Sequence, residues 1–233
     1  MIKTILFDFD GTLINTNDVI LASWQHTYEK YWGHRVDEAH IIQFFGEPLR
    51  DTVSREFPQE DPDEVMSYYR EYQVSHAEQL VKIFDDIPEL LRELKRKGYK
   101  LGIVTSRLRN STEEYLKQFK IDRLFNDMVT CDDTHIHKPN PAPILLALEK
   151  LHNERDEVIM VGDSPFDMKC ANNAEVESVL VGWRITSDNG QLVDDYEVDY
   201  EIDEPMQLID LIESLNAFDD PNHASYEGTE FDE

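Results

Sequence analysis

Two aspartates one residue apart close an apolar run near the start of the chain: Ile5-Leu6-Phe7-Asp8-Phe9-Asp10-Gly11-Thr12-Leu13. A buried strand has no use for a carboxylate, so Asp8 and Asp10 belong where the strand stops. Open α/β sheets bind their ligands at the carboxyl ends of the strands. Acids at that edge can hold a divalent cation, and one of them can attack phosphorus. A plain strand end followed by an Asp-Gly turn fits the same residues.

Three further segments carry candidate chemistry, two of them again at the end of an apolar run. Lys100-Leu101-Gly102-Ile103-Val104 ends in the hydroxyls of Thr105 and Ser106. His137-Lys138-Pro139-Asn140-Pro141 sets a lone lysine before a proline-marked helix start. Val158-Ile159-Met160-Val161-Gly162 ends in Asp163 and, four residues on, Asp167. In this order, Asp-x-Asp, Thr, Lys and Gly-Asp-x-x-x-Asp, the chain resembles the haloacid dehalogenase-like superfamily, mostly magnesium-dependent phosphatases. The resemblance covers about residues 1–215 and is greatest to the bacterial pyrophosphatase and phosphoglycolate phosphatase branch. It departs from the pyrophosphatases at Ser164-Pro165-Phe166 and in an acidic C-terminal extension, which leaves the substrate open.

The resemblance implies a role for each residue. Asp8 would be the nucleophile, forming an aspartyl-phosphate. Asp10 would protonate the leaving oxygen, then take a proton from water, and its main-chain carbonyl would also contact the metal. Thr12 would orient Asp10 or fix the loop, and Gly11 would let the backbone come close to phosphate. Thr105 and the Ser106 amide would hold phosphoryl oxygens, and Lys138 would pair with Asp8 and the phosphoryl group. Mg²⁺ would be held by Asp8, Asp10 and Asp163, with Asp167 in support; a helix first-turn acid is the lesser reading of Asp167. Arg50 is expected to reach the far end of an anionic substrate, with Arg107 and Arg109 as further candidates. A phosphomutase of the same fold, or an idle module that binds phosphate esters, are the alternatives; the acid at Asp10 speaks against a pure binder.

These residues need a scaffold. Apolar runs at 4–9, 100–105, 127–131, 157–161 and 178–182 read as strands. Amphipathic patterns at about 86–98, 110–119, 141–152 and 165–174 read as the helices between them. Such alternation predicts an α/β fold with a doubly wound parallel sheet, formed by 1–15 and 82–216. Residues 16–81 break the alternation and read as helices alone, near 17–32, 37–43, 48–57 and 61–80. They resemble the small helical cap of one branch of the superfamily, which closes over the site and excludes water. Residues 217–233 are acidic with few aliphatics, and a disordered tail is expected.

Composition narrows the partners. The 233-residue chain carries a net charge of −27, which argues against nucleic acid and anionic membranes. A phosphate ester is an anion too, so its site must be made locally positive by the metal, Lys138 and helix N-termini. A small phosphorylated molecule is the expected substrate, and a monomer or homodimer the expected state. There is no span-length apolar run, and Met1-Ile2-Lys3-Thr4 leads straight into a strand, so a cytoplasmic location is expected. Cys131 and Cys170 have no metal-site spacing and read as ordinary half-buried residues.

Overall fold

A computed structural model describes residues 1–183 and 196–218. Six parallel strands make the central sheet: β1 (Thr4–Phe7), β4 (Lys100–Val104), β5 (Asp127–Val129), β6 (Val158–Gly162), β7 (Glu177–Val181) and β8 (Tyr200–Ile202). Their order is β5-β4-β1-β6-β7-β8. The chain therefore winds outward from β1 in both directions, and β1 lies at the reversal of strand order where such sheets bind ligands.

Both sheet faces are covered, which is why the strands read as continuous apolar runs. Ile5, Phe7, Ile103 and Val161 enter one buried cluster. Leu6, Val104 and Met160 enter the other. On the first face, α5 (Ile87–Arg96) buries Leu90, Leu91 and Leu94, and α6 (Arg109–Gln118) and α9 (Gln207–Phe218) contribute Leu116 and Ile212. On the second, α7 (Ala142–Leu151) and α8 (Pro165–Ala174) supply Ile144, Leu148 and Ala171.

Between β1 and α5 lies a helical insertion: α1 (Asn17–Trp32), α2 (Glu38–Ile42), α3 (Leu49–Glu56) and α4 (Pro62–Leu80). It has its own core of Trp24, Tyr28, Ile41, Val53, Phe57, Val65 and Tyr69. Each such side chain taken from water contributes roughly 1.5–3 kcal/mol. Gly33 ends α1 with φ +76°, a left-handed stop that glycine adopts without strain.

Two features differ from the expectation. A short antiparallel ribbon, β2 (Ile14–Asn15) with β3 (Lys82–Ile83), gathers the two ends of the insertion. Two residues per strand leave no alternation to read. Strand β8 is not among the expected strands, because acids flank and interrupt it. As a three-residue strand at the sheet edge it buries Ile202 and leaves Glu201 in water, so it tolerates them. The expected acidic tail lies, from residue 219 on, outside the described residues, and 217–218 complete α9.

Candidate active site

The parallel register sets three strand ends side by side. Phe7 is level with Ile103 of β4 and Val161 of β6, so the next residues emerge together at one edge. Asp8, Thr105 and Asp163 each follow their strand directly, and all three are buried. The Asp8 amide still donates to Val161 O at 2.8 Å, and the Thr105 amide to Val129 O at 3.0 Å, so the sheet ladders hold both backbones.

Lys138 comes up from the loop before α7 and is 3% exposed. Its Nζ donates to Asp8 Oδ1 at 2.7 Å, to Asp167 Oδ1 at 2.5 Å and to Val104 O at 3.4 Å. Asp167 serves two purposes at once. One oxygen accepts from Lys138; the other accepts from the Ser164 hydroxyl at 2.6 Å and amide at 3.1 Å, closing a capping box on α8. The two sequence readings of Asp167, site acid and helix first-turn acid, thus describe its two oxygens.

Asp8, Asp163 and Asp167 bring carboxylate oxygens within 4.8 Å of one another. Three buried acids facing one ammonium would, if all ionised, leave an excess of two negative charges at a site largely shielded from solvent. A divalent cation fits that excess in charge, and hard carboxylate oxygens suit Mg²⁺ or its like. Burial pushes the Asp8 carboxyl up to about 7 against the opposing pull of Lys138. Burial and the adjoining Asp167 and Asp8 carboxylates also raise Asp163 well above the usual carboxylate range. Lys138 is disfavoured as a cation by burial, yet Asp167 and Asp8 outweigh this and raise its pKa. Gly11 makes the packing possible: with φ +81°, its missing Cβ would lie 2.2 Å from Asp163 Oδ2.

The Asp10 side chain stands apart from that trio. Arg107 grips it through Nε to Oδ2 at 2.9 Å and Nη2 to Oδ1 at 2.8 Å, and the Thr16 hydroxyl adds a bond at 2.7 Å. Burial pushes the Asp10 carboxyl up, but the Arg107 charge and its hydrogen bonds outweigh this and hold it below the usual range. Arg107 itself lies over the Tyr115 ring at 5.1 Å and the Phe9 ring at 5.8 Å. The sequence offered Arg107 only as an arm for substrate; its bond to Asp10 depends on β1 and β4 being neighbours. The hydroxyl that steadies Asp10 belongs to Thr16, whereas Thr12 Oγ1 stands 3.5 Å from Asp163 Oδ1.

The other expected residues divide. Thr105 faces the cleft, and its Oγ1 accepts from the Arg107 amide at 3.1 Å. Ser106 uses its hydroxyl on the insertion, donating to Gly46 O at 3.2 Å. Arg50 borders the cleft with its guanidinium paired to Asp63, and more than half of its side chain is exposed. Arg109 pairs with Asp133 at 2.7 Å. Both cysteines are free, and burial pushes the thiols up to about 11 for Cys131 and about 12 for Cys170. Neither thus offers a thiolate near neutrality. No helix among the described residues is long and apolar enough to cross a membrane.

Between insertion and sheet edge lies a cleft of about 360 Å³, walled by Trp24, Phe44, Met66 and Tyr69 on one side and Asp8, Thr105 and Lys138 on the other. The model of the haloacid dehalogenase-like hydrolase family matches residues 5–181, a span that takes in every strand end of the site. The chain belongs to this family. A protein of Caldanaerobacter subterraneus subsp. tengcongensis, provisionally called pyrophosphatase PpaX, is 39% identical over 215 residues, covering 92% of this chain and 96% of its own. Pyrophosphatase PpaX of Bacillus mycoides is 36% identical over 216 residues, covering 93% and 99%. Among solved structures, a Lactobacillus plantarum protein provisionally called a phosphoglycolate phosphatase superposes with a TM-score of 0.80 at 25% identity, covering 91% and 99%. The match covers nearly all of this hydrolase, so it shares the fold of that solved protein along most of its length.

Proposed function

We propose that this hydrolase is a magnesium-dependent phosphatase acting on a small phosphorylated metabolite or on inorganic pyrophosphate, through an aspartyl-phosphate on Asp8. The observation that carries the reading is the position of Asp8: a buried carboxylate at the central strand end, held by Lys138, with Asp163 and Asp167 beside it. A bound Mg²⁺ would be held by Asp8, Asp163 and the Asp10 main-chain carbonyl, with Asp167 in support, and would supply positive charge to the phosphoryl oxygens.

In the first step an Asp8 oxygen attacks phosphorus and the bond from phosphorus to the leaving oxygen breaks; a phosphate leaves as its own anion, whereas an alkoxide would take its proton from the minor, protonated form of Asp10. In the second step Asp10 takes a proton from water, whose oxygen attacks the aspartyl-phosphate and frees Asp8. Lys138 steadies Asp8 and the phosphoryl charge throughout, and Thr105 with the Ser106 amide orients the transferred group. Gly11 gives the phosphate room, and Thr12 helps seat Asp163.

Asp10 is held ionised by Arg107, the form suited to taking a proton from water. A phosphate leaving group departs as a stable anion and asks less of an acid than an alkoxide does. This supports pyrophosphate as the first compound to try, as do the relatives named pyrophosphatase. A role for Arg50 in substrate binding requires it to exchange Asp63 for the substrate, and KM in Arg50→Ala tests that.

The test is phosphate release from pyrophosphate, phosphoglycolate and a panel of simple esters, with Mg²⁺ or EDTA and with Asp8→Asn alongside. Metal-dependent turnover, lost in Asp8→Asn, is expected. Equal turnover by Asp8→Asn overturns the covalent reading.

A further inference from the structure

Four arginines and lysines line the cleft, and three are already neutralised. Lys138 is bound to Asp8 and Asp167, Arg107 to Asp10, and Arg50 to Asp63. The fourth, Arg70, has no ion pair and no hydrogen bond among the described residues. It lies in α4, between the buried ring of Tyr69 and, one turn on, Gln73, which also lines the cleft. Across from it the core wall offers Cys131 and Asp132, and the Asp132 carboxylate accepts from the Arg109 amide at 2.7 Å.

Arg70 is only partly exposed, so its guanidinium gives up hydration without receiving a partner in return. The chain has 49 acids against 22 lysines and arginines, so carboxylates are the more abundant partners for a cation. A cation kept without one, in the wall of the reaction cleft, is poised for an anion that arrives from solution. The transferred phosphoryl group has its own partners at Lys138 and Thr105 on the core side. Arg70 therefore faces the remainder of the substrate.

We propose that Arg70 is the specificity residue of this site: it binds the non-transferred anionic group of the substrate, a second phosphoryl or a carboxylate, with its five-donor planar fork. The inference rests on the phosphatase reading above and sharpens it, because it selects small phosphate compounds with a second anion at the far end. Inorganic pyrophosphate and phosphoglycolate are of this class, and an ester of a neutral alcohol is not. The cleft of about 360 Å³, with Trp24, Phe44 and Tyr69 in its wall, is of a size that suits such compact compounds.

The experiment compares kcat/KM on pyrophosphate and phosphoglycolate with that on p-nitrophenyl phosphate, for the wild type, Arg70→Ala and Arg70→Lys. The ratio of two-anion to one-anion substrate is expected to fall about 10- to 100-fold in Arg70→Ala, the range for a charged hydrogen bond, mainly through KM. Arg70→Lys keeps the charge without the fork and is expected to recover part of it. An unchanged ratio, or an equal loss on every compound, overturns the assignment.

Binding supplies a readout free of turnover. Calorimetry of pyrophosphate with Mg²⁺ on the folded Asp8→Asn protein is expected to show at least 10-fold weaker affinity when Arg70→Ala is added. Equal affinity overturns the proposal even if the kinetics are lost to misfolding. Failure of the phosphatase reading looks different: no metal-dependent turnover of any compound by the wild type.

Discussion

Arg107 and Asp10 form a two-point ion pair inside the protein, at 2.9 and 2.8 Å, across 97 residues of sequence. The pair joins the loop after β4 to the loop after β1, and it fixes the acid that the proposed chemistry needs in the wall of the cleft. Removing the arginine leaves a half-buried carboxylate without its charged partner. Arg107→Ala is expected to cost about 1–3 kcal/mol of stability, as the loss of a hydrogen-bonded partner from a half-buried group does, measured by denaturant unfolding. With burial no longer offset, the Asp10 pKa rises, so the acid limb of the pH–rate profile moves to higher pH. Arg107→Lys keeps a charge but not the fork and should fall between the two.

Gly11 tests the acid cluster without touching an acid. A methyl group there would lie 2.2 Å from Asp163 Oδ2 and 2.5 Å from Asp163 Cγ, at a φ of +81° that L side chains rarely adopt. Gly11→Ala is expected to lower Mg²⁺ affinity at least 10-fold by displacing Asp163, the loss typical of a disturbed metal surround. Titration of Mg²⁺ by calorimetry checks it. Wild-type affinity in the variant would show that Asp163 does not hold the metal.

Metal binding and pH should be linked. The Asp8 pKa is raised to about 7 from 3.8 in the metal-free fold. A carboxyl raised on folding contributes stability that is present below its unfolded value and is lost as pH rises through the folded one. The window for Asp8 is therefore about pH 4 to 7. In EDTA, Asp8→Asn should gain Tm relative to wild type as pH climbs through that window. Mg²⁺ needs the carboxylates ionised, so its stabilisation of the wild type should be larger at pH 8 than at pH 5. A Tm gain from Mg²⁺ that does not change with pH would contradict this linkage.

Gly46 governs how the insertion meets the core. Its carbonyl accepts from Ser106 at 3.2 Å, and a Cβ on it would sit 2.6 Å from Ser164 Oγ, again at positive φ, +88°. Gly46→Ala is expected to hold the insertion away from the sheet edge and reduce kcat/KM at least 10-fold. Its far-UV circular dichroism and Mg²⁺ affinity should stay near wild type. A structure of the variant with the Ser106–Gly46 contact intact would sink the idea.

Much of this molecule was legible in its sequence because strands buried on both faces must be apolar throughout, and their ends must be where charge begins. That logic located β1, β4 and β6 and put Asp8, Thr105 and Asp163 at their ends. The break in β/α alternation marked the helical insertion for the same reason: a helix writes a different periodicity from a strand. The ribbon of β2 with β3 and the edge strand β8 were too short to write any.

The partnerships within the site were decided by tertiary structure. The paired order of β1 and β4 delivers Arg107 to Asp10, and the two oxygens of Asp167 divide between Lys138 and Ser164 only once α8 is seated. Thr16 rather than Thr12 reaches Asp10 because α1 starts beside it. Arg50 and Arg70 look alike in sequence, yet one meets Asp63 and the other faces the cleft without a partner among the described residues. Composition sets how many charges a chain carries; which of them find one another depends on distances of a few ångströms that exist only after the elements pack.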